Sequence, residues 1–370
     1  MAWFDSDWLY RVKVTVDSGE VDADLTDFPV YVDLSDLPAG FFTHVKSDGS
    51  DIRVTKTDET TEVAREVVFI TTGSSVGELH FIADGTLSSS ADTDFYIYYG
   101  NAAASEPAVT ATYGRNNVWN ANYAAVYHLQ EDPSGSAPQE IDSTGSGYDG
   151  TSEGSMTSGD LIDAQISKGL DLDGSGDAID IGTTPDWSET DTFTWQTWAK
   201  TSSGATKTMI AKATNTAPYT GINFYLASSK LTLSFVPTAG TSYQLVRRGT
   251  NTYSDGAWHS FYATYDGLET DTGIHLYEDG VEPTYSISTD NWSGKVLDTT
   301  KRLKLGERDG GLNWAGGLDE ARMSNVVLTS TWVSTEYSNQ NSPATFYTAG
   351  SQESAPAADT GNAIFAGCNF

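Results

Sequence analysis

Lys168-Gly-Leu-Asp-Leu-Asp-Gly-Ser-Gly-Asp-Ala-Ile-Asp-Ile-Gly182 puts four carboxylates, on Asp171, Asp173, Asp177 and Asp180, around one Gly-Ser-Gly turn. Alternation sends Leu170 and Leu172 to one face and Asp171 and Asp173 to the other, and Ile179 and Ile181 repeat it around Asp180. The pattern predicts a β-hairpin with an apolar face and an oxygen-rich rim. Carboxylates this close repel unless a cation or solvent screens them, and a hard, oxygen-seeking ion such as Ca²⁺ answers that need. Asp and Gly are also the preferred residues of tight turns, so the turn alone accounts for Asp173 and Asp177. An EF-hand is excluded: Asp171, Asp173, Ser175, Gly176 and Asp177 fit its early positions, but Gly182 replaces the bidentate Glu and no helices flank the loop.

Other chemistry leaves fainter traces. The histidines, at 44, 80, 128, 259 and 275, show no metal-ligand spacing. His80 and His275 sit in strand patterns, where packing or hydrogen bonding is their expected role. Asp319 and Glu320 are adjacent, so regular alternation would turn them to opposite faces and prevent their acting as an acid and nucleophile pair. Sugar binding would use aromatic faces beside polar groups; Trp187, Trp292, Trp314, Tyr219 and Tyr243 fall in or beside loop-like segments and are the candidates.

The elements that must position these groups are strands. The chain has 370 residues, enough for two domains, with Gly 35, Tyr 19 and Trp 10 in period-two runs broken by Gly, Asp, Asn and Ser. No long amphipathic helix is expected. A net charge of -31 argues against nucleic acid or an anionic membrane as partner and fits a solvated acidic surface. Met1-Ala-Trp-Phe-Asp-Ser-Asp-Trp-Leu-Tyr10 reads without a secretory signal, nothing is apolar enough to span a bilayer as a helix, and Cys368 is the only cysteine, which excludes an intrachain disulfide.

Residues 1–105 form a first unit with strands expected at Arg11–Val16, Phe28–Leu34, Glu66–Ile70, Glu78–Ile82 and Phe95–Tyr99. Trp8-Leu-Tyr-Arg11, Asp27-Phe-Pro-Val30, Ser47-Asp-Gly-Ser-Asp-Ile-Arg53 and Tyr96-Ile-Tyr-Tyr-Gly-Asn101 resemble, in order and spacing, a domain of unknown function. That domain precedes concanavalin-A-like domains in bacterial surface and phage proteins. The resemblance implies a small antiparallel β-sandwich and brings no chemistry. Residues 106–117 read as a linker. Residues 118–350 resemble a laminin-G-like, concanavalin-A-like jelly roll, carried by Asp142–Thr151, the Lys168–Gly182 stretch, Phe193–Ala199, Asp255–Gly267, His275–Gly280 and Gly316–Arg322. The opening segment Val118–Leu129 and the block Asp255–Gly267 carry His128 and His259 as framework positions.

That second resemblance implies a structural Ca²⁺ held by Asp319 with Asp177 and Asp142, and more weakly by Asp173 and the carbonyl of Gly174. It also brings glycoside hydrolysis into view as an unfavoured activity, since the alternating Glu, Asp, Glu signature of jelly-roll glucanases is absent. Residues 351–370 form a tail of small residues expected to be held by a partner subunit. Together these expectations describe an all-β, non-enzymatic protein. It would be a virion structural or adhesion subunit, such as a phage tail, fibre or capsid-decorating component, with a lectin-like domain for glycans in an oligomeric assembly. A secreted or cell-surface bacterial carbohydrate-binding adhesin is the alternative.

Overall fold

The computed structural model describes residues 2–356, which build two antiparallel sandwiches. In the first, a five-stranded sheet runs in the order Tyr347–Ser354, Tyr10–Val16, Thr93–Tyr99, Arg53–Thr55, Glu62–Val63. It faces a three-stranded sheet ordered Pro29–Asp33, Val76–Ile82, Arg65–Thr71. Val12, Val14, Phe95 and Ile97 from one sheet meet Val30, Val32, Leu79 and Phe81 from the other in a single core. Period-two alternation puts them there, and it also sends Glu78 and His80 to the opposite face of their strand. Both are nonetheless fully buried, because the second sandwich covers that face.

The second sandwich packs a seven-stranded sheet, centred on Ala315–Ser324 and Phe193–Lys200, against an eight-stranded sheet running through Lys207–Ala213, Gly221–Ala227 and Lys230–Val236. Leu170, Leu172, Ile179 and Ile181 all enter its core, as their alternation requires. Their pairing differs from the expected hairpin. Lys168–Asp173 pairs with Ala315–Ser324 in one sheet, whereas Ala178–Gly182 pairs with Leu303–Leu305 in the other. The Gly-Ser-Gly turn is therefore a corner that carries the chain between sheets, with Gly174 at φ 81° and Gly176 at φ 140° making the bend.

Two elements tie the sandwiches together, and neither was expected. The helix Ser330–Asn341 starts at Thr329, whose side chain accepts from the Trp332 amide, and buries Thr335, Glu336, Asn339 and Gln340 along with Val333. Its inward face is polar, so no apolar stripe announces it. The Asn339 side chain accepts from the Tyr31 amide at 2.8 Å and donates to the Tyr31 carbonyl at 2.9 Å, completing the edge of the three-stranded sheet. The strand Tyr347–Ser354 then returns to the first sandwich and pairs with Tyr10–Val16 along its length. The boundary expected at residue 350 thus falls inside a strand. Residues 351–354 are held by the chain's own sheet, not by a partner, while residues 357–370 of the expected tail lie outside the described residues.

Candidate functional site

The seam between the sandwiches holds the densest chemistry. Glu66, Glu78 and His80 rise from the outer face of the three-stranded sheet, where Glu66 stands opposite His80 in register. His128 and Glu320 descend from the second sandwich. His128 follows the strand Tyr123–Tyr127, and Glu320 sits where a β-bulge interrupts Ala315–Ser324. Trp198 faces Asp319 and Gln196 faces Arg322, so Glu320 and Ala321 stand against Thr197 alone. Glu320 takes φ 50°, the left-handed conformation that bulges exploit to re-aim a side chain. The argument that adjacency turns Asp319 and Glu320 to opposite faces therefore fails here, because regular alternation is broken between them.

All these groups are buried and joined. His128 Nδ1 lies 2.5 Å from Glu320 Oε1 and 3.2 Å from Glu78 Oε1, and its Nε2 lies 3.3 Å from Glu66 Oε2. His80 Nε2 is 2.8 Å from the same oxygen of Glu78. Arg322 grips Glu320 through two nitrogens and reaches Glu336 on the helix at 2.5 Å. Glu66 is held in turn by Trp119 Nε1 at 2.8 Å and Ser143 Oγ at 2.6 Å.

Electrostatics follow from this packing. Burial alone would raise Glu320, but His128 and Arg322 hold it well below the usual carboxylate range. Burial would lower His128, and Glu320 and Glu66 outweigh it and keep the ring protonated. Glu78, without a dedicated cation, is pushed up to about 8 by burial and by the charge of Glu320. Burial and then the charge on His128 keep His80 neutral. Among the described residues these four, Glu78, His80, His128 and Glu320, form one group whose ligand atoms lie within 4.8 Å of one another. The sequence hid it because the partners are far apart along the chain and the bulge leaves no motif.

Above the cluster opens a cleft of 570 Å³ lined by Tyr31, Asp33 and Phe69 from the first sandwich and Gln130, Asp163 and Lys168 from the second. Phe69 stands opposite Glu78 in register, which puts its ring on the seam side of the sheet, partly exposed. Gln130 forms the floor, its amide donating to Glu78 Oε2.

The residues expected to share a Ca²⁺ are dispersed. Asp173 and Asp177 do meet, at the corner, where Asp177 accepts from the Asp173 amide at 3.1 Å and Asp173 accepts from Ser175. Gly174 lies in the same corner and supplies its bend. Asp142 is saturated in a different turn by the amides of Val126, Thr144 and Tyr148 and the Thr144 hydroxyl. Asp319 lies four positions along its strand from Ala315, the partner of Asp173, or roughly 13 Å at the usual rise. It accepts from the Ile166 amide at 2.8 Å and stays protonated through burial and the nearby Glu320 charge. Turn chemistry explains the corner, and no common oxygen cage forms.

Of the candidate sugar-binding aromatics, Trp187, Trp292 and Trp314 are 2%, 1% and 0% exposed and belong to the core, so they are removed as ligand contacts. Tyr219 and Tyr243 remain on the surface at 40% and 39% exposure, beside Arg308 and Lys295 respectively. His259 is flanked by Asp279 at 2.8 Å and Asp255 at 3.3 Å, which occupies both ring nitrogens.

Residues 173–334 match the family model described as the concanavalin A-like lectin/glucanases superfamily. No curated protein sequence matches the chain. Among solved structures, the binding domain of Paraclostridial Mosquitocidal Protein 1 is similar at 14% identity and a TM-score of 0.45, over 58% of this chain and 52% of that one. The botulinum neurotoxin serotype G binding domain is similar at 16% identity and a TM-score of 0.42, over 60% and 52%. Domain 4 of AbnA, a GH43 extracellular arabinanase from Geobacillus stearothermophilus, in complex with arabinotriose, is similar at 19% identity and a TM-score of 0.41, over 58% and 98%. The chain thus spans about half the length of the two toxin domains. The second sandwich has the concanavalin-A-like jelly-roll fold, within an all-β molecule.

Proposed function

We propose that this chain is a non-catalytic recognition protein that binds glycans in the cleft between its two sandwiches. The observation that carries the reading is the cleft itself, where the aromatic ring of Phe69 stands beside Asp33, Gln130, Asp163 and Lys168 in a volume suited to one or two sugar rings. Aromatic faces take up the apolar face of a sugar, and carboxylates, amides and an ammonium orient its hydroxyls. The match of residues 173–334 to a superfamily of lectins and glucanases supports the ligand class. The binding role is favoured over hydrolysis because Glu78 and Glu320, the carboxylates clustered beneath the cleft, are 0% exposed and committed to His128 and Arg322.

Display on a virion, as a tail, fibre or capsid-decorating subunit, belongs to the same proposal, with a bacterial cell surface as the other setting. Both place a rigid pair of sandwiches where an outward cleft can meet a glycan. Mass spectrometry of native particles decides the setting: the chain among the structural proteins supports the virion, and its absence removes that setting. A glycan array tests the function directly. Saturable retention of some glycan, without release of reducing sugar, is expected, and an empty array would sink the reading.

A further inference from the structure

We propose that Glu78, His80, His128 and Glu320 form a zinc-type metal site that pins the two sandwiches together. The donor set is two imidazole nitrogens and two carboxylate oxygens, His80 Nε2, His128 Nδ1, Glu78 Oε1 and Glu320 Oε1, all within 4.8 Å of one another. A tetrahedral ion with bonds of about 2.0–2.1 Å sets its ligand atoms about 3.3–3.4 Å apart. Three separations among these atoms, 2.5, 2.8 and 3.2 Å, fall short of that spacing and the others extend to at most 4.8 Å, so modest side-chain adjustment meets it. Nitrogen and carboxylate together suit Zn²⁺ and its neighbours, whereas Ca²⁺ and Mg²⁺ favour all-oxygen shells.

Independent support comes from what surrounds the four. His128 turns its Nε2 to Glu66 Oε2 at 3.3 Å, and Glu66 is itself fixed by Trp119 and Ser143. A carboxylate on the far nitrogen of an imidazole is the arrangement that orients metal-bound histidines. The second oxygen of Glu320 is held by Arg322, and that of Glu78 by Gln130.

Placement gives the ion a role. Glu78 and His80 come from the first sandwich, His128 and Glu320 from the second, so coordination closes the seam. Four protein ligands leave no open position, which marks a structural site, and Gln130, between Glu78 and the cleft, is the gate through which an ion enters. This inference does not depend on the glycan reading.

The test uses the full chain, stripped with a chelator, then loaded with Zn²⁺ or Co²⁺ and freed of excess by gel filtration. Elemental analysis is expected to find one ion per chain, with a rise in melting temperature and the visible absorption of four-coordinate cobalt. His80→Gln is expected to lower affinity at least tenfold and change the cobalt spectrum, whereas His275→Gln, at a surface histidine, is expected to leave both unchanged. Zinc X-ray absorption on the wild-type chain reads the ligand types without any variant. A folded wild-type chain that retains less than one-tenth of an equivalent overturns the site. So does a six-coordinate cobalt spectrum, an absorption signature without imidazole, or binding that His80→Gln leaves intact.

Discussion

Arg322 is the residue on which the seam's charge converges: it pairs with Glu320 and Glu336 and lies 4.8 Å from the Trp119 ring. Removing one partner of a buried network strands the others in a low-dielectric interior, so Arg322→Ala is expected to cost about 3–5 kcal/mol in denaturant unfolding. Glu140 shows the opposite case. It is fully buried, and burial followed by the Glu131 charge raises its carboxyl well above the usual range. The folded chain therefore holds a proton that the unfolded chain releases above about pH 4.3, and stability falls as pH rises by about 1.4 kcal/mol per unit until the folded carboxyl also ionises. Glu140→Gln is expected to melt above the wild type at pH 8 and to match it near pH 4; an equal melting temperature at pH 8 would refute this. Such groups were only partly legible in the sequence. Leu170, Leu172, Ile179 and Ile181 reached the core by alternation, but a buried Trp292 and an exposed Tyr243 look alike when each is flanked by loop residues.

At the level of elements, the strand periodicity carried most of the information. The expected runs Arg11–Val16, Glu66–Ile70 and Phe95–Tyr99 lie inside the strands Tyr10–Val16, Arg65–Thr71 and Thr93–Tyr99. Partners were less visible. Asp173-Gly-Ser-Gly-Asp177 has hairpin chemistry, yet its flanking strands join different sheets, because a tight turn fixes local direction and not the neighbour a strand finds. The helix Ser330–Asn341 was missed because its buried face carries Thr335, Glu336, Asn339 and Gln340. Asn339→Ala would leave the Tyr31 amide and carbonyl unpaired and is expected to cost about 1–3 kcal/mol. Truncation before Tyr347 would bare the edge of Tyr10–Val16, and faster proteolysis of the first sandwich is the expected result.

Across the whole molecule, the two sandwiches are joined by the return strand, the helix and the seam. The return strand and the helix bind the first sandwich, and the seam buries a charged network beside apolar contacts in which Val118, Trp119, Tyr123 and Val126 join the first sandwich's core. Calorimetry is expected to show one cooperative transition for the metal-free chain, and two well-separated transitions would argue that the seam is weak. A rigid seam also gives the cleft a fixed shape, which is what a recognition surface needs to limit the entropy lost on binding. Nothing in the sequence located that cleft, since Phe69 and Lys168 come from different sandwiches and meet only through the seam.

The decisive measurement is a calorimetric titration of an array-selected glycan into the wild-type chain, Phe69→Ala and a Tyr219→Ala/Tyr243→Ala double variant. Saturable binding that falls at least tenfold in Phe69→Ala, with its melting temperature preserved, and that survives in the double variant is the predicted result. Binding that survives Phe69→Ala and disappears with the two surface tyrosines would move recognition to the exposed loops of the jelly roll and contradict the account.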